Sequence, residues 1–416
     1  MDTFLLDLLG NQILAGVVAA ALVLVFVLLF ALVAIYAELK LAAFMQHRLG
    51  PMEAGPHGVL QPFAEILKLL QKEAIRPDRA DRWLFQMAPF LVFVGCFAAF
   101  AVVPFSPLYI GADIDVGVYY IIAVSSLVVI GIFMGGWASN NKYTLYGGVR
   151  SVAQIISYEI PAGFIVLAIV MMSGTLSMQG IIEQQGGGFW NWYVFGGPKS
   201  GSTTSMITGG MISTPGTAAS FLLMPLMAIA LLILYSSGLA ETNRVPFDLP
   251  EAESELVGGY NTEYSAMKYA IFFLAEYGNM FVVCAIATTL FLGGWQPPLP
   301  RFFAQYAGLG SPFWIGIEGF FWFVAKSMVL VLMQIMLRWT LPRLRADQLM
   351  HLSWKMFLPI GFVVVIVIGA WITFIGAPNA DPRQALSPAA APAQVGVASA
   401  PAPVPSATIH NGGVRQ

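Results

Sequence analysis

The chain has 416 residues, of which 58% are hydrophobic and only 10% charged, with a formal net charge of −2 and a mean hydropathy of +0.75. Soluble domains carry about 25% charged residues, so this composition excludes a soluble enzyme and identifies a polytopic membrane protein. The near-neutral charge, with no basic surface, excludes nucleic acid as a partner. The four histidines are scattered without metal-ligand spacing, and Cys96 and Cys284 each lie inside an apolar run. They read as buried thiols rather than disulfide, metal or cluster ligands, so no redox centre is expected in the chain.

A membrane helix needs about 20 mainly apolar residues. Segments near Ile13–Tyr36, Leu84–Val103, Gly117–Ala138, Val152–Met172, Ala218–Leu239, Tyr269–Leu292, Phe313–Leu337 and Trp354–Gly376 meet this requirement. The first run follows no basic segment and is too long for the core of a cleavable signal, so it is expected to remain as a span. Most of the 20 Lys and Arg fall in the connections after the first, third, fifth and seventh spans, from Lys40 and Arg48 to Arg345 and Lys355. The opposite connections carry only Lys199, Arg301, Arg383 and Arg415. That asymmetry assigns the rich side to the cytoplasm and both termini to the outside, which is the periplasm in a Gram-negative bacterium.

The outside connections include a Gly/Ser/Thr-rich loop over 174–217, and a Pro/Ala-rich tail at 377–416 follows the 1–376 membrane domain. Both read as flexible. No internal repeat is evident, which argues against transporter folds built on inverted repeats. The sequence therefore predicts an all-α polytopic membrane protein with eight transmembrane helices.

The cytoplasmic connections carry ordered-looking polar motifs. In the first, Val59, Leu60, Phe63, Ile66, Leu67 and Leu70 recur at helical spacing, with Glu65, Lys68, Lys72 and Glu73 between them. This pattern predicts an amphipathic helix lying in the cytoplasmic-side interface, preceded by a loop at Arg48-Leu49-Gly50-Pro51 and Gly55-Pro56-His57-Gly58. Residues 136–150, from Gly136 to Arg150, read as a polar loop between the third and fourth spans.

The densest charge lies between the fifth and sixth spans, where Glu241, Asp248, Glu251, Glu253, Glu255 and Glu263 accompany the single cation Arg244. Crowded carboxylates repel one another, which raises proton affinity and permits proton sharing. The same acids have a second use, docking on Arg48, Arg150 and Arg244 or on a partner subunit. Within the spans, Glu159, Glu276 and Lys326 are intramembrane ionisable groups, a feature that marks ion or substrate routes. Glu38, at the end of the first span, is placed either in the same route or in solvent. An acid-lined cavity open to the cytoplasm is expected, with Glu159 and Glu276 about 10 Å below their helix ends. Lys326 is a candidate partner for a carboxylate on a neighbouring helix, as is Arg150 for the acidic loop.

Several stretches together resemble one family. They are Glu38-Leu39-Lys40, Gln46-His47-Arg48-Leu49-Gly50-Pro51, Leu60-Gln61-Pro62-Phe63-Ala64-Glu65, Lys72-Glu73, Gly136-Trp137 through Lys142-Tyr143, Arg150 through Gln154, Ser157-Tyr158-Glu159, the acidic segment, Ala275-Glu276-Tyr277, and Leu341-Pro342-Arg343-Leu344-Arg345 with Asp347-Gln348-Leu349-Met350. Jointly they are similar to the H subunit of bacterial NADH:quinone oxidoreductase, respiratory complex I. The resemblance implies a bacterial inner-membrane subunit, inactive alone, that forms much of the quinone chamber. It would couple quinone reduction to proton translocation.

Under this resemblance Glu38, Arg48, Glu65, Arg244 and Asp248 map to the chamber and its channel, and Glu159, Glu241, Glu251, Glu253, Glu255, Glu263 and Glu276 to a proton relay. Quinone is then a substrate, and flavin and iron–sulfur clusters belong to partner subunits of the peripheral arm. Small membrane subunits would lead on to antiporter-like ones. Two departures accompany the resemblance: Leu39 stands where many relatives carry Arg, and the outside loop and the tail are longer than the family core. The alternatives are the homologous subunit of a membrane-bound hydrogenase or formate hydrogenlyase, an ion-coupled secondary transporter, and a structural anchor for the peripheral arm.

Overall fold

A computed structural model describes residues 12–197, 222–250, 253–298 and 312–375. Among these residues the regular structure is entirely helical, and eight helices are long and apolar enough to cross a membrane. In chain order they are α1 (Gln12–Met45), α3 (Arg82–Ala99), α4 (Gly117–Ala138), α5 (Lys142–Ser173), α7 (Met224–Glu241), α9 (Ala266–Phe291), α10 (Pro312–Thr340) and α12 (Leu358–Ile375). Short helices lie between them: α2 (Gln61–Gln71), α6 (Met178–Gln184), α8 (Glu253–Leu256) and α11 (Ala346–His351). The 377–416 tail and most of the Gly/Ser/Thr-rich loop lie outside the described residues.

The number of spans agrees with the sequence reading, but boundaries move, since α1 continues to Met45 where Tyr36 was expected, and the connection before α5 shortens. The expected polar loop at 136–150 shrinks to Ser139–Asn141, because α5 begins at Lys142. Asn141 caps it by accepting a hydrogen bond from the Tyr143 N–H at 3.0 Å, satisfying a free donor of the first turn. The Gly147-Gly148 pair, inside the expected loop, instead permits close packing within a helix. A Cβ on Gly147 would stand 2.8 Å from the Gly259 backbone, and one on Gly148 3.3 Å from the Gly136 Cα. Glu159 is thereby placed 17 residues along α5, roughly 25 Å from the helix start at 1.5 Å per residue, rather than the 10 Å expected.

Pro161 interrupts α5 two residues beyond Glu159. A helical proline has no N–H for the carbonyl four residues earlier, which here is that of Ser157. The Ser353 hydroxyl donates to that carbonyl at 2.5 Å, and the Trp354 indole donates to the Ser157 hydroxyl at 3.3 Å. Both donors lie in the π-helical turn Leu352–Phe357 joining α11 to α12. The carbonyl freed near Glu159 is therefore satisfied by a neighbouring element, as backbone within a span must be.

The amphipathic helix forms as expected. Pro62 sits in the first turn of α2, where its missing N–H is not needed, while Phe63, Ile66, Leu67 and Leu70 remain exposed. The loop before it is held to α1, since Lys40 Nζ donates to the Pro51 carbonyl at 2.8 Å. Gly58 has φ +78, and a Cβ there would overlap the Pro51 carbonyl oxygen, so only glycine fits.

Candidate functional site

The charged groups separate into two sites. The first is centred on Arg244, in the connection after α7, which is only 4% exposed. Its Nη1 donates to Glu38 Oε2 at 3.1 Å, and its Nε lies 2.9 Å from Glu276 Oε1. The guanidinium carbon lies 4.6 Å from the centre of the Tyr277 ring, a cation–π arrangement, and the Tyr277 hydroxyl donates to Glu38 Oε2 at 2.5 Å. Arg338, near the end of α10, pairs with Glu38 Oε1. Glu38 is thus buried between two arginines and a tyrosine, not solvated at an interface. Burial by itself favours a neutral guanidine, but the Glu276 and Glu38 carboxylates hold Arg244 charged, well above the usual arginine value.

Glu38, Tyr277 and Arg338 of this cluster line a cavity of about 470 Å³, whereas Arg244 and Glu276 lie behind that wall and not in it. Arg48, Gln61, Glu65, Tyr277, Arg338 and Glu38 supply its polar lining, and Ile35, Leu39, Leu49, Phe273 and Trp339 much of the apolar lining. Arg48 and Glu65 therefore meet Glu38 across one space, though they come from a loop and from α2. Asp248 lies beside the cavity rather than in it, 2.9 Å from Arg343. Burial raises its carboxyl above the ordinary range and Arg343 opposes that rise.

The second site is a smaller cavity of about 90 Å³ inside the bundle, with Glu159 on α5 and Glu241 at the end of α7 in its wall, together with Ser125, Tyr158 and Ser237. The Ser125 hydroxyl, on α4, donates to Glu159 at 3.1 Å. Gln154 fixes the end of α7 by donating to the Ala240 carbonyl at 2.8 Å and to that of Phe247 at 2.7 Å.

The acidic segment is not one crowded row of carboxylates. Glu255 pairs with Arg150 at 2.6 Å on an exposed flank. Glu263 accepts from the Asn141 side chain at 2.6 Å. Glu251 lies outside the described residues, and Glu253 is placed only as the first residue of α8. A cation brought by α5 and an amide brought by the α4–α5 turn separate these acids, an effect of tertiary contacts that spacing along the loop does not show.

Lys326 also differs from expectation. Its partners are carbonyls rather than a carboxylate, those of Leu292 at 2.7 Å, Gly294 at 2.8 Å and Gln296 at 2.7 Å. The ammonium lies 4.2 Å from the centre of the Trp192 ring. These carbonyls lie beyond the last residue of α9, where the helix dipole favours a cation, and glycines with positive φ at 293 and 294 turn the chain around it.

Arg338, Arg343 and Tyr277 belong to the first site, yet the sequence reading did not select them. Arg338 served there only as cytoplasmic-side charge, and Arg343 as such charge and as part of a motif of the resemblance. The one signal was Tyr277 beside Glu276, which cannot by itself disclose a contact with Glu38 on another helix.

Residues 18–369 match the family model described as NADH dehydrogenase. The H subunit of the NADH-quinone oxidoreductase of Chlorobaculum tepidum is 49% identical over 361 residues, covering 86% of this chain and 92% of that protein. The H subunit of the same enzyme from Chlorobium luteolum is 48% identical over 363 residues, 86% of this chain and 89% of that protein. That of Phenylobacterium zucineum is 44% identical over 366 residues, covering 88% and 93%. With eight membrane-spanning helices, one family model matched along most of its length and relatives close to half identical, the chain belongs to the NADH dehydrogenase family, among the H subunits of NADH-quinone oxidoreductases.

Proposed function

We propose that this membrane subunit supplies much of the quinone chamber of a proton-translocating NADH:quinone oxidoreductase in a bacterial inner membrane. In this reading the larger cavity receives the quinone headgroup. Its lining suits such a ligand, because arginine, glutamine and tyrosine groups offer hydrogen bonds to carbonyl oxygens while Ile35, Leu39, Phe273 and Trp339 accompany the isoprenoid chain. Leu39, where the resemblance expects an arginine, leaves Arg48 and Arg338 as the lining cations. Reduction takes two electrons and two protons per quinone. The electrons come from a cluster held by a partner subunit of the peripheral arm, and flavin belongs to partners as well.

The observation that carries the coupling reading is Arg244, which touches Glu38 at the cavity wall and Glu276 behind it. A charge change in the cavity alters the balance at Glu38, and the shared guanidinium passes it to Glu276. Glu241 and Glu159 form the next station, around the smaller cavity. Glu263 and Glu255, held by Asn141 and Arg150, together with Glu253 and Glu251, complete the acidic route toward the small membrane subunits and the antiporter-like subunits beyond.

The test is Glu241→Gln in the assembled complex, in membrane vesicles supplied with NADH and a short-chain quinone. Quinone-dependent turnover and proton uptake are expected to fall about 100-fold, the lower range for loss of a group that transfers protons. NADH oxidation by ferricyanide, which bypasses the quinone, stays at the native rate. Native turnover and pumping in this variant would remove Glu241 from the route.

A further inference from the structure

Gln334 lies on α10, and both of its side-chain amide atoms are buried without a protein partner among the described residues. The residue is 1% exposed, so bulk solvent does not satisfy it. An amide offers two donors and two acceptor sites, and leaving them dry within a membrane span is costly. Leucine would fill the position without that cost. Buried polar groups without protein partners are ordinarily satisfied by internal water.

The position of Gln334 gives that water a use. Leu330, Gln334 and Arg338 are spaced four apart and form one stripe along α10. At one end of the stripe the Tyr235 hydroxyl on α7 donates to the Leu330 carbonyl at 2.9 Å. At the other, Arg338 pairs with Glu38 in the wall of the larger cavity. Gln334 is therefore one turn, about 6 Å of helix rise, from an anchor to α7 and one turn from the quinone-side ion pair. On α7, Ser237 follows Tyr235 by two residues and so lies on the opposite face of that helix. Its hydroxyl is likewise buried without a partner, and it lines the smaller cavity together with Glu241 and Glu159. One unsatisfied group thus lies beside the quinone-side ion pair, and a second lies across α7 at the other acid-bearing site.

We propose that Gln334 is a positioning residue of the proton route, holding water beside the Arg338–Glu38 pair. The amide donates to one water molecule and accepts from another. The two waters are bonded to each other, a proton passes directly from one to the other, and Gln334 itself is neither protonated nor consumed. The assignment rests on the relay reading given above, and it adds a residue that carries no charge and does not titrate.

The experiment compares Gln334→Leu, Gln334→Glu and Glu241→Gln in assembled complex. Membrane vesicles receive NADH and decylubiquinone, and NADH:ferricyanide activity normalises the amount of enzyme. Gln334→Leu is expected to lower coupled turnover and proton uptake about tenfold, the rate equivalent of one lost hydrogen bond. Gln334→Glu, which when protonated still donates and accepts, restores both to within about twofold, on the same scale. A packing role would give the opposite order, because leucine packs as well as glutamine whereas a buried carboxyl does not. Native turnover in Gln334→Leu beside a disabled Glu241→Gln overturns this assignment alone, and native turnover in Glu241→Gln overturns the relay itself. If the leucine variant does not assemble, a structure of the native complex that resolves water decides. Water bonded to both amide atoms supports the proposal, and protein groups bonded to both overturn it.

Discussion

Two cations are held inside this bundle, and their partners differ in kind. Arg244 is surrounded by Glu38, Glu276 and Tyr277, whereas Lys326, near the far end of α9, is held by three backbone carbonyls and the Trp192 ring. Carboxylates gain and lose protons, so the Arg244 site has several charge states available to it. Carbonyls do not titrate, and the three N–H donors of Lys326 have an acceptor each. The contrast teaches that a buried charge marks a functional route only when its partners can change state. By that criterion the Arg244 site is the one that suits the proposed route, and Lys326 fastens the chain after α9.

The largest effect expected from this contrast is in Arg244→Met. Removing the shared cation leaves two carboxylates buried beside Arg338 alone. Breaking a buried network by deleting one partner costs about 3–5 kcal/mol. The variant is expected to show a sharply reduced amount of assembled complex and quinone reductase activity down at least about 100-fold, the rate equivalent of a loss at the lower end of that range. Arg244→Lys should recover part of the assembly and little of the activity, because a point charge cannot reproduce the fork that reaches Glu38 and Glu276 together. Normal turnover per complex in Arg244→Met would make the two sites alike and end the comparison.

Lys326→Met tests the other half. Each charged hydrogen bond contributes about 1.5–3 kcal/mol, and the helix-end carbonyls can recover part of this by local rearrangement. Less complex is therefore expected, with a lower midpoint for thermal inactivation. Turnover and pumping per assembled complex stay native, since Lys326 is held by backbone carbonyls and not by a carboxylate of the route. A selective loss of pumping in this variant would place Lys326 in the proton route and contradict the contrast.

The sequence displayed the spans and their number well, because about 20 apolar residues in a row have few other uses. It displayed the amphipathic helix equally well through the spacing of Phe63, Ile66, Leu67 and Leu70. Polar helix was the harder case. Residues 142–151 contain Gly147-Gly148 and resemble a loop locally, yet Gly136 and Gly259 pack against them and keep them helical. The acids were legible as a set but not their partners. Glu255 meets a cation 105 residues away, and Tyr277 meets a carboxylate 239 residues away. Lys326 failed for the same reason, since backbone carbonyls leave no mark in a sequence. Gln334 resembled any polar residue in a span until its burial and lack of partners were known.

The smallest expected effect belongs to Arg343, which touches the edge of the Arg244 site through Asp248. The Asp248 side chain is 12% exposed and that of Arg343 is 37%, so solvent screens the pair and its removal should cost about 1 kcal/mol. Its pH dependence is more informative than its size. Burial raises the Asp248 carboxyl and Arg343 pulls it back, so Arg343→Gln moves the folded-state titration higher still. A carboxyl with a raised folded value contributes stability that is present below its unfolded value and is lost as pH rises through the folded one. The variant should therefore inactivate thermally like the native complex in acid, where Asp248 is protonated in both, and fall behind as the pH approaches neutral. A deficit that is constant across this range would mean that Arg343 acts by packing alone. A deficit that grows with pH extends the titratable character of the Arg244 site to Asp248.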